Sequence, residues 1–375
     1  MTYLDSAATT PVDKRVLESF DRTCLEYIGN PNSLHSEGVK SKKLMDAAVN
    51  QIASILNVKD EEIIFTSGAT ESNNLAIMGV ISKYKDRGKT IITTKLEHSS
   101  ILETVDYLEK NGYTIKYVKI DNNGKIDINN IKELINDDVV LVSISEVNSE
   151  IGIIQDVNEI GRVLKDYPRI IYHVDGTQAI GKKQINLDNI DLYSFSAHKF
   201  YGLKGVGCLI KKNNIQLEPI IHGGKSQTEY RGGTPALPLM TSTARALKLV
   251  LQDLDINMDY VKELSNKLKD KLSKIDGVSI NSDSECIPNI VNFSVVGIKP
   301  ETLLHALSEE EIYISTKTAC SQDDYSEGVL EITKDLEKAK SSLRISLSHL
   351  TKESEIDKFI EKLEEKIKNL KSITN

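Results

Sequence analysis

Lys199 stands in Ser-Phe-Ser-Ala-His-Lys-Phe-Tyr-Gly, residues 194–202, directly after a histidine and between an apolar run and a glycine-bearing turn. The run Leu-Tyr-Ser-Phe-Ser before it reads as a strand, so the amine emerges at a strand's carboxyl end. Buried beside the His198 imidazole, such an amine loses affinity for its proton and becomes a nucleophile toward carbonyls. Another strand pattern ends in His-Val-Asp-Gly-Thr-Gln, residues 173–178, which brings a carboxylate, Asp175, and an amide, Gln178, to the same edge of a sheet. Thr-Ser-Gly-Ala-Thr-Glu, residues 66–71, runs from a strand into a helix through small residues. The backbone N–H groups of Gly68, Ala69 and Thr70 at that helix start, with the Thr70 hydroxyl, form an anion site. His98 follows the strand pattern Ile-Ile-Thr-Thr and can stack on a flat ring or shuttle a proton.

These residues answer the needs of an aldehyde cofactor such as pyridoxal phosphate: an amine for an imine, an acid against the pyridine nitrogen, a phosphate cradle and a stacking group. Lys199 supplies the amine, and Asp175 keeps the ring nitrogen protonated so that the ring acts as an electron sink. Gln178 donates to the ring oxygen. Ser196 and His198 add phosphate or ring contacts. Each residue alone has a plainer reading: a surface lysine, a helix-capping Asp or a capping box between Ser/Thr and Glu71. Their order along the chain is what turns the reading.

The elements that must position them are legible as alternating periods. From Glu62 to Ile210, β-rich runs near 63–66, 90–94, 114–118, 139–144, 170–174, 192–196 and 206–210 alternate with helix patterns over 71–86, 99–111 and 156–167. That is an α/β architecture with a mostly parallel, seven-stranded sheet, which places ligands at the carboxyl ends of its strands. A long helical stretch over 236–274 leads to a smaller α+β unit with strands near 290–296, 312–315 and 343–347 and a helix over 352–372. The expected division is an N-terminal segment 1–30 packing with the small unit, a large cofactor-binding domain 31–255 and a small C-terminal domain 256–375.

With 375 residues, 39% of them hydrophobic, the chain is long enough for two or three domains' worth of core. Its net charge of -8 gives no long-range pull toward nucleic acid or anionic membranes. No run approaches the roughly 18 apolar residues of a membrane helix, and the start lacks a secretion signal; a cytoplasmic protein is expected. The four cysteines, Cys24, Cys208, Cys286 and Cys320, are too scattered for a disulfide scaffold or a structural metal site. Cys208 reads as a small buried hydrophobe and Cys320 as exposed.

The chain resembles the NifS/IscS cysteine desulfurases, class-V aminotransferase relatives of fold type I. The resemblance runs from Tyr-Leu-Asp-Ser-Ala-Ala-Thr-Thr-Pro at 3–11 and Gly-Asn-Pro-Asn-Ser-Leu-His at 29–35 through Thr-Ser-Gly-Ala-Thr-Glu-Ser-Asn, Glu-His-Ser-Ser, Asn-Ser-Glu-Ile-Gly, His-Val-Asp-Gly-Thr-Gln and Ser-Phe-Ser-Ala-His-Lys to Ala-Cys-Ser and Leu-Arg-Ile-Ser-Leu. It implies Lys199 as the imine lysine, His98 as the stacking acid/base, and Ala69, Thr70, Asp175, Gln178, Ser196 and His198 as cofactor contacts. It implies Cys320 as the thiolate that takes sulfur from substrate L-cysteine as a persulfide, leaving L-alanine, and Arg344 as the fork for the substrate carboxylate. It further implies a homodimer, with Thr234 reaching the partner's phosphate, and a sulfur-acceptor protein of iron-sulfur assembly or tRNA thiolation.

Departures from the family pattern are local. Asn148-Ser149-Glu150 replaces Asn-Asn-Glu, so the ring contact falls to Ser149 or to Asn148. Thr316-Lys317-Thr318-Ala319-Cys320 replaces Ser-Gly-Ser-Ala-Cys, and residues 222–230 also drift. Asp323 and Asp324 would be expected to raise the thiol's pKa, and Lys317 to offset them. A nucleotide-binding reading of Gly224-Lys225-Ser226 fails, because a P-loop needs glycine where Pro219 stands. A selenocysteine lyase or another class-V aminotransferase-like enzyme would keep Lys199 and Asp175, and Cys320 discriminates between them and a desulfurase.

Overall fold

Runs such as Val-Val-Leu-Val-Ser-Ile-Ser and Ile-Tyr-His-Val-Asp are apolar on both faces of the pleat, which suits strands covered by helices on either side. The computed structural model describes residues 1–316 and 325–374. Its main sheet has seven strands, in the order Ile63–Thr66, Gly207–Lys211, Leu192–Ser196, Ile171–Asp175, Val139–Ser145, Thr90–Thr93, Thr114–Tyr117. Strand Gly207–Lys211 runs antiparallel to both its neighbours, and the remaining pairings are parallel. Each expected strand lies within one or two residues of its place in the sequence reading. Successive side chains feed two layers: Val142, Ile144, Tyr172, Val174 and Phe195 join one core, while Leu141, Ile171, Leu192 and Leu209 join the other.

The long helical stretch is two helices, Leu237–Gln252 and Leu254–Leu272, because Asp253, at φ −116° and ψ 25°, leaves helical geometry between them. Beyond them, Val278–Ile280, Ile290–Val295 and Ser342–Ser346 form a three-stranded antiparallel sheet. Helix Leu254–Leu272 and the C-terminal helix Glu353–Thr374 cover it through a core that includes Val261, Phe293, Leu343 and Phe359. Thr2–Tyr3 pairs in parallel with Ile312–Tyr313, and Leu4 enters this second core. The following helix, Lys14–Glu26, instead packs on Leu237–Gln252. The N-terminal segment therefore bridges the two cores and crosses the site between them. No helix among the described residues is long and apolar enough to cross a membrane.

Candidate active site

Strand Leu192–Ser196 delivers Lys199 through one short helical turn, Ala197–Lys199. The Lys199 ammonium donates to the Ala7 and Ala8 carbonyls at 2.7 and 2.9 Å, so the N-terminal segment holds its far end. Thr10 ties the same segment to the turn: its N–H and hydroxyl both reach the His198 carbonyl, and the Tyr201 N–H donates to the hydroxyl at 2.7 Å. Tyr201 takes a left-handed conformation, φ 64°, uncommon outside glycine and fixed here by that clasp.

Asp175 ends strand Ile171–Asp175 and is buried. The Thr177 N–H donates to its Oδ1 at 2.9 Å and the Asn73 amide to its Oδ2 at 2.8 Å, so each carboxylate oxygen has a donor. The turn that follows requires glycine, since a Cβ on Gly176 would fall 1.8 Å from Tyr193 Cζ. Gln178 donates to the Ala7 carbonyl at 2.9 Å and accepts from Lys182 Nζ at 2.6 Å. Lys182 is itself buried, and that burial, with the nearby charges of Lys199 and Arg344, lowers its pKa to about 7.

At the other end of the cavity, helix Ala69–Lys83 starts at Gly68 with no side-chain cap, which leaves its first N–H groups available to an anion. Glu71 accepts from the Ser67 N–H at 2.7 Å and from Arg231 Nε at 2.9 Å. Burial pushes its carboxyl up, but these bonds outweigh it and hold the group below the usual range. Strand Gly207–Lys211 can pass beneath this turn only as glycine: a Cβ on Gly207 would come within 2.5 Å of the Phe195 carbonyl and 2.7 Å of the Gly68 backbone.

His98 caps helix Ser99–Lys110 with its own Nδ1, which accepts from the Ser100 N–H at 3.1 Å. Burial lowers its pKa, and Asp175 opposes the shift. His198 is lowered further, to about 4, by burial first and then by Lys199, Lys204 and Lys182, and its Nδ1 lies 3.2 Å from the Thr9 hydroxyl. It is a neutral hydrogen-bonding group. Arg344, on strand Ser342–Ser346, is buried, not a strand-surface charge; its guanidinium donates to Asp5 Oδ1 and to the Ser149 carbonyl, both at 2.8 Å, while Nε has no partner among the described residues.

These groups line one cavity of ≈ 540 Å³ between the sheet's carboxyl edge and the small unit. Ala69, Thr70, His98, Ser149, Asp175, Gln178, Ser196, His198, Lys199 and Arg344 all reach it. Asn148 does not line it: its amide donates to the Leu96 carbonyl and accepts from the Glu150 and Ile151 N–H groups, which makes it a turn-builder and leaves the wall to Ser149. Thr234 is exposed and lies outside this lining. Cys320 lies outside the described residues, although Ser315, shortly before it, lines the cavity and exchanges backbone hydrogen bonds with Arg344. Cys208 is fully buried, as its strand pattern implies. Sequence reasoning missed Asp5, Asn73, Ser100 and Lys182. Asn73 left a readable trace, since it shares the i, i+4, i+7 face with buried Ile77 and Val80 and is thus a polar residue at a core position.

The donor set fits pyridoxal phosphate: an uncapped helix start for a phosphate, a hydrogen-bonded carboxylate for a ring nitrogen, and a lysine in the same cavity. An α/β sheet with such a cavity at the carboxyl edge defines a class of cofactor-dependent enzymes. The chain belongs to the class-V aminotransferase family, whose model matches residues 2–359. It is 36% identical to a cysteine desulfurase IscS of Dictyoglomus turgidum, over 99% of this chain and 96% of that one, and 38% identical to the cysteine desulfurase IscS of Salmonella paratyphi C, over 99% and 94%. Among solved structures it superposes on a NifS-like protein with a TM-score of 0.93 at 36% identity, covering 98% of this chain and 99% of the other. An SspA structure described as a complex with cysteine matches at 0.82 and 31%, covering 93% and 99%.

Proposed function

We propose that this chain is a pyridoxal phosphate-dependent cysteine desulfurase that converts L-cysteine to L-alanine and passes the sulfur, as a persulfide on Cys320, to an acceptor protein of iron-sulfur assembly or tRNA thiolation. The observation that carries the reading is that one cavity unites Lys199, Asp175, His98, Arg344 and an uncapped helix start. Bound pyridoxal phosphate supplies an electron sink for the carbon centres of the substrate. The N–H groups of Ala69 and Thr70, with Ser196 and His198, would hold its phosphate; Asp175 would pair with the ring nitrogen; Gln178 would donate to the ring oxygen and Ser149 would make a further ring contact; Lys199 would supply the amine for its aldehyde.

Arg344 receives the substrate carboxylate, and Asp5 and the Ser149 carbonyl keep the guanidinium in place from behind. The Cys320 thiolate attacks the substrate sulfur. The S–S bond forms as the C–S bond breaks, and the electron pair of the broken bond stays with the β-carbon. Sulfur is thereby oxidised and carbon reduced, and a proton delivered at that carbon completes alanine, with His98 and Lys199 as the proton-handling groups.

The enzyme is cytoplasmic and works as a homodimer in which Thr234 meets the partner's phosphate site. Residues 1–30, 31–255 and 256–375 act as bridging segment, cofactor-binding domain and small domain. Intact-mass analysis after anaerobic incubation of the cofactor-loaded protein with L-cysteine tests the reading. We expect a gain of one sulfur atom, absent in Cys320→Ala, together with alanine; alanine formed without any gain would remove Cys320 from the path, and no alanine would refute the activity.

A further inference from the structure

Behind the cavity wall, helix Ala69–Lys83 and helix Ser99–Lys110 meet at Asn73 and Ser100, two buried polar residues that do not line the cavity. Asn73 Nδ2 lies 2.8 Å from Asp175 Oδ2 and 2.9 Å from Ser100 Oγ, so each amide hydrogen has its own acceptor. Its Oδ1 is buried without a partner among the described residues. An orphaned buried carbonyl is costly. The amide keeps this orientation because the reverse one would press its carbonyl oxygen against the Asp175 carboxylate.

The orientation propagates. Ser100 Oγ receives the Asn73 N–H and lies 2.9 Å from His98 Nδ1, while the Ser100 backbone N–H also points to that nitrogen at 3.1 Å. A ring nitrogen that takes an N–H must present its lone pair there, so neutral His98 carries its proton on Nε2.

We propose that Asn73 and Ser100 are positioning residues: they form a hydrogen-bonded bridge from Asp175 to His98 that fixes the carboxylate and holds the imidazole as the Nε2–H tautomer. The two groups assigned to the ring nitrogen and to proton movement are then linked through one amide, in addition to the backbone donors that each receives. The inference rests on the proposed roles of Asp175 and His98. Two donors aimed at Nδ1 oppose its protonation, in the same direction as burial, which with Lys199 and Arg344 lowers the His98 pKa against the pull of Asp175 and Glu150. These four charged residues are present in every variant below, so differences between variants report on the bridge.

Ring-nitrogen NMR of cofactor-loaded protein labelled with ¹⁵N-histidine, with the His98 signal assigned through His98→Gln, tests the bridge. Wild type should show an Nε2–H signature; an Nδ1–H signature would overturn the proposal. Ser100→Ala should raise the His98 titration midpoint by about half to one pH unit, the equivalent of one lost hydrogen bond, and Ser100→Thr, which keeps the hydroxyl, should return it to the wild-type value. A midpoint unmoved by Ser100→Ala, or Ser100→Thr behaving as Ser100→Ala, would refute the role of the hydroxyl. Asn73→Ala should move the midpoint in the same direction by less, since Ser100 loses the donor that polarises it; no movement would remove Asn73 from the bridge. None of these signals depends on turnover. The predicted shifts without cysteine turnover would fault the proposed activity, whereas turnover without the shifts would fault the bridge.

Discussion

Glu97, next to His98 in sequence, shows how a side chain's environment sets its protonation. It is buried, and the Ser145 and Thr94 hydroxyls donate to its two oxygens. Burial raises its pKa from 4.5 to about 8, against the lowering effect of those hydroxyls, and nearby Asp175 adds to the rise. Between these two pH values the folded chain keeps a proton that the unfolded chain has lost, so this group's contribution to stability is complete below pH 4.5 and is lost as pH rises through about 8. Glu97→Gln is neutral at every pH and escapes the loss. Urea unfolding should therefore give the variant an advantage over wild type at pH 8.5 that exceeds its advantage at pH 5 by about 1–3 kcal/mol. An equal difference at both pH values would mean that Glu97 is ionised in the folded chain at neutral pH.

Strand Gly207–Lys211 passes close beneath the start of helix Ala69–Lys83, where the proposed phosphate site lies. Gly207→Ala places a methyl group between two pieces of backbone, the Phe195 carbonyl and Gly68, neither of which can swing aside as a side chain would. We expect a stability loss of about 1–3 kcal/mol and several-fold weaker cofactor binding, read by urea unfolding and by spectroscopic titration with pyridoxal phosphate. Gly205→Ala is the contrasting control, since its Cβ would meet nothing within 4 Å, although its left-handed φ of 83° adds some backbone strain. If both variants bind the cofactor alike, the close approach at Gly207 does not shape the site.

At the scale of the whole molecule, one segment, residues 17–39, carries several exposed apolar side chains. Leu25 and Ile28 are each 80% exposed and Leu34 is 97% exposed, with Leu17 and Val39 nearby in sequence. Side chains of this kind grouped along one segment mark an interface. The proposed homodimer, if it covers residues 17–39, would account for them. Sedimentation should give twice the 41.7 kDa chain mass, and the double variant Leu25→Asp/Leu34→Asp should sediment as a monomer. A monomeric wild type would refute the dimer and leave that face to another partner.

The strands and the residues at their carboxyl ends are legible in the sequence because both are local properties of the chain. A strand buried on both faces needs an unbroken apolar run, and Lys199, Asp175 and His98 each stand where such a run stops. Contacts between distant segments carry no such local mark. Either Asn148 or Ser149 could serve the cavity by sequence, and the choice fell to Ser149 only when the turn drew the Asn148 amide to the Leu96 carbonyl. Lys182, one of two adjacent lysines, carries no mark in the sequence that its amine will meet the Gln178 carbonyl. The Asn73 amide finds Asp175, and Arg344 finds Asp5, only because sheet register and the N-terminal crossover bring together positions far apart in the chain. Periodicity is written along the backbone, whereas partnership depends on how the elements pack.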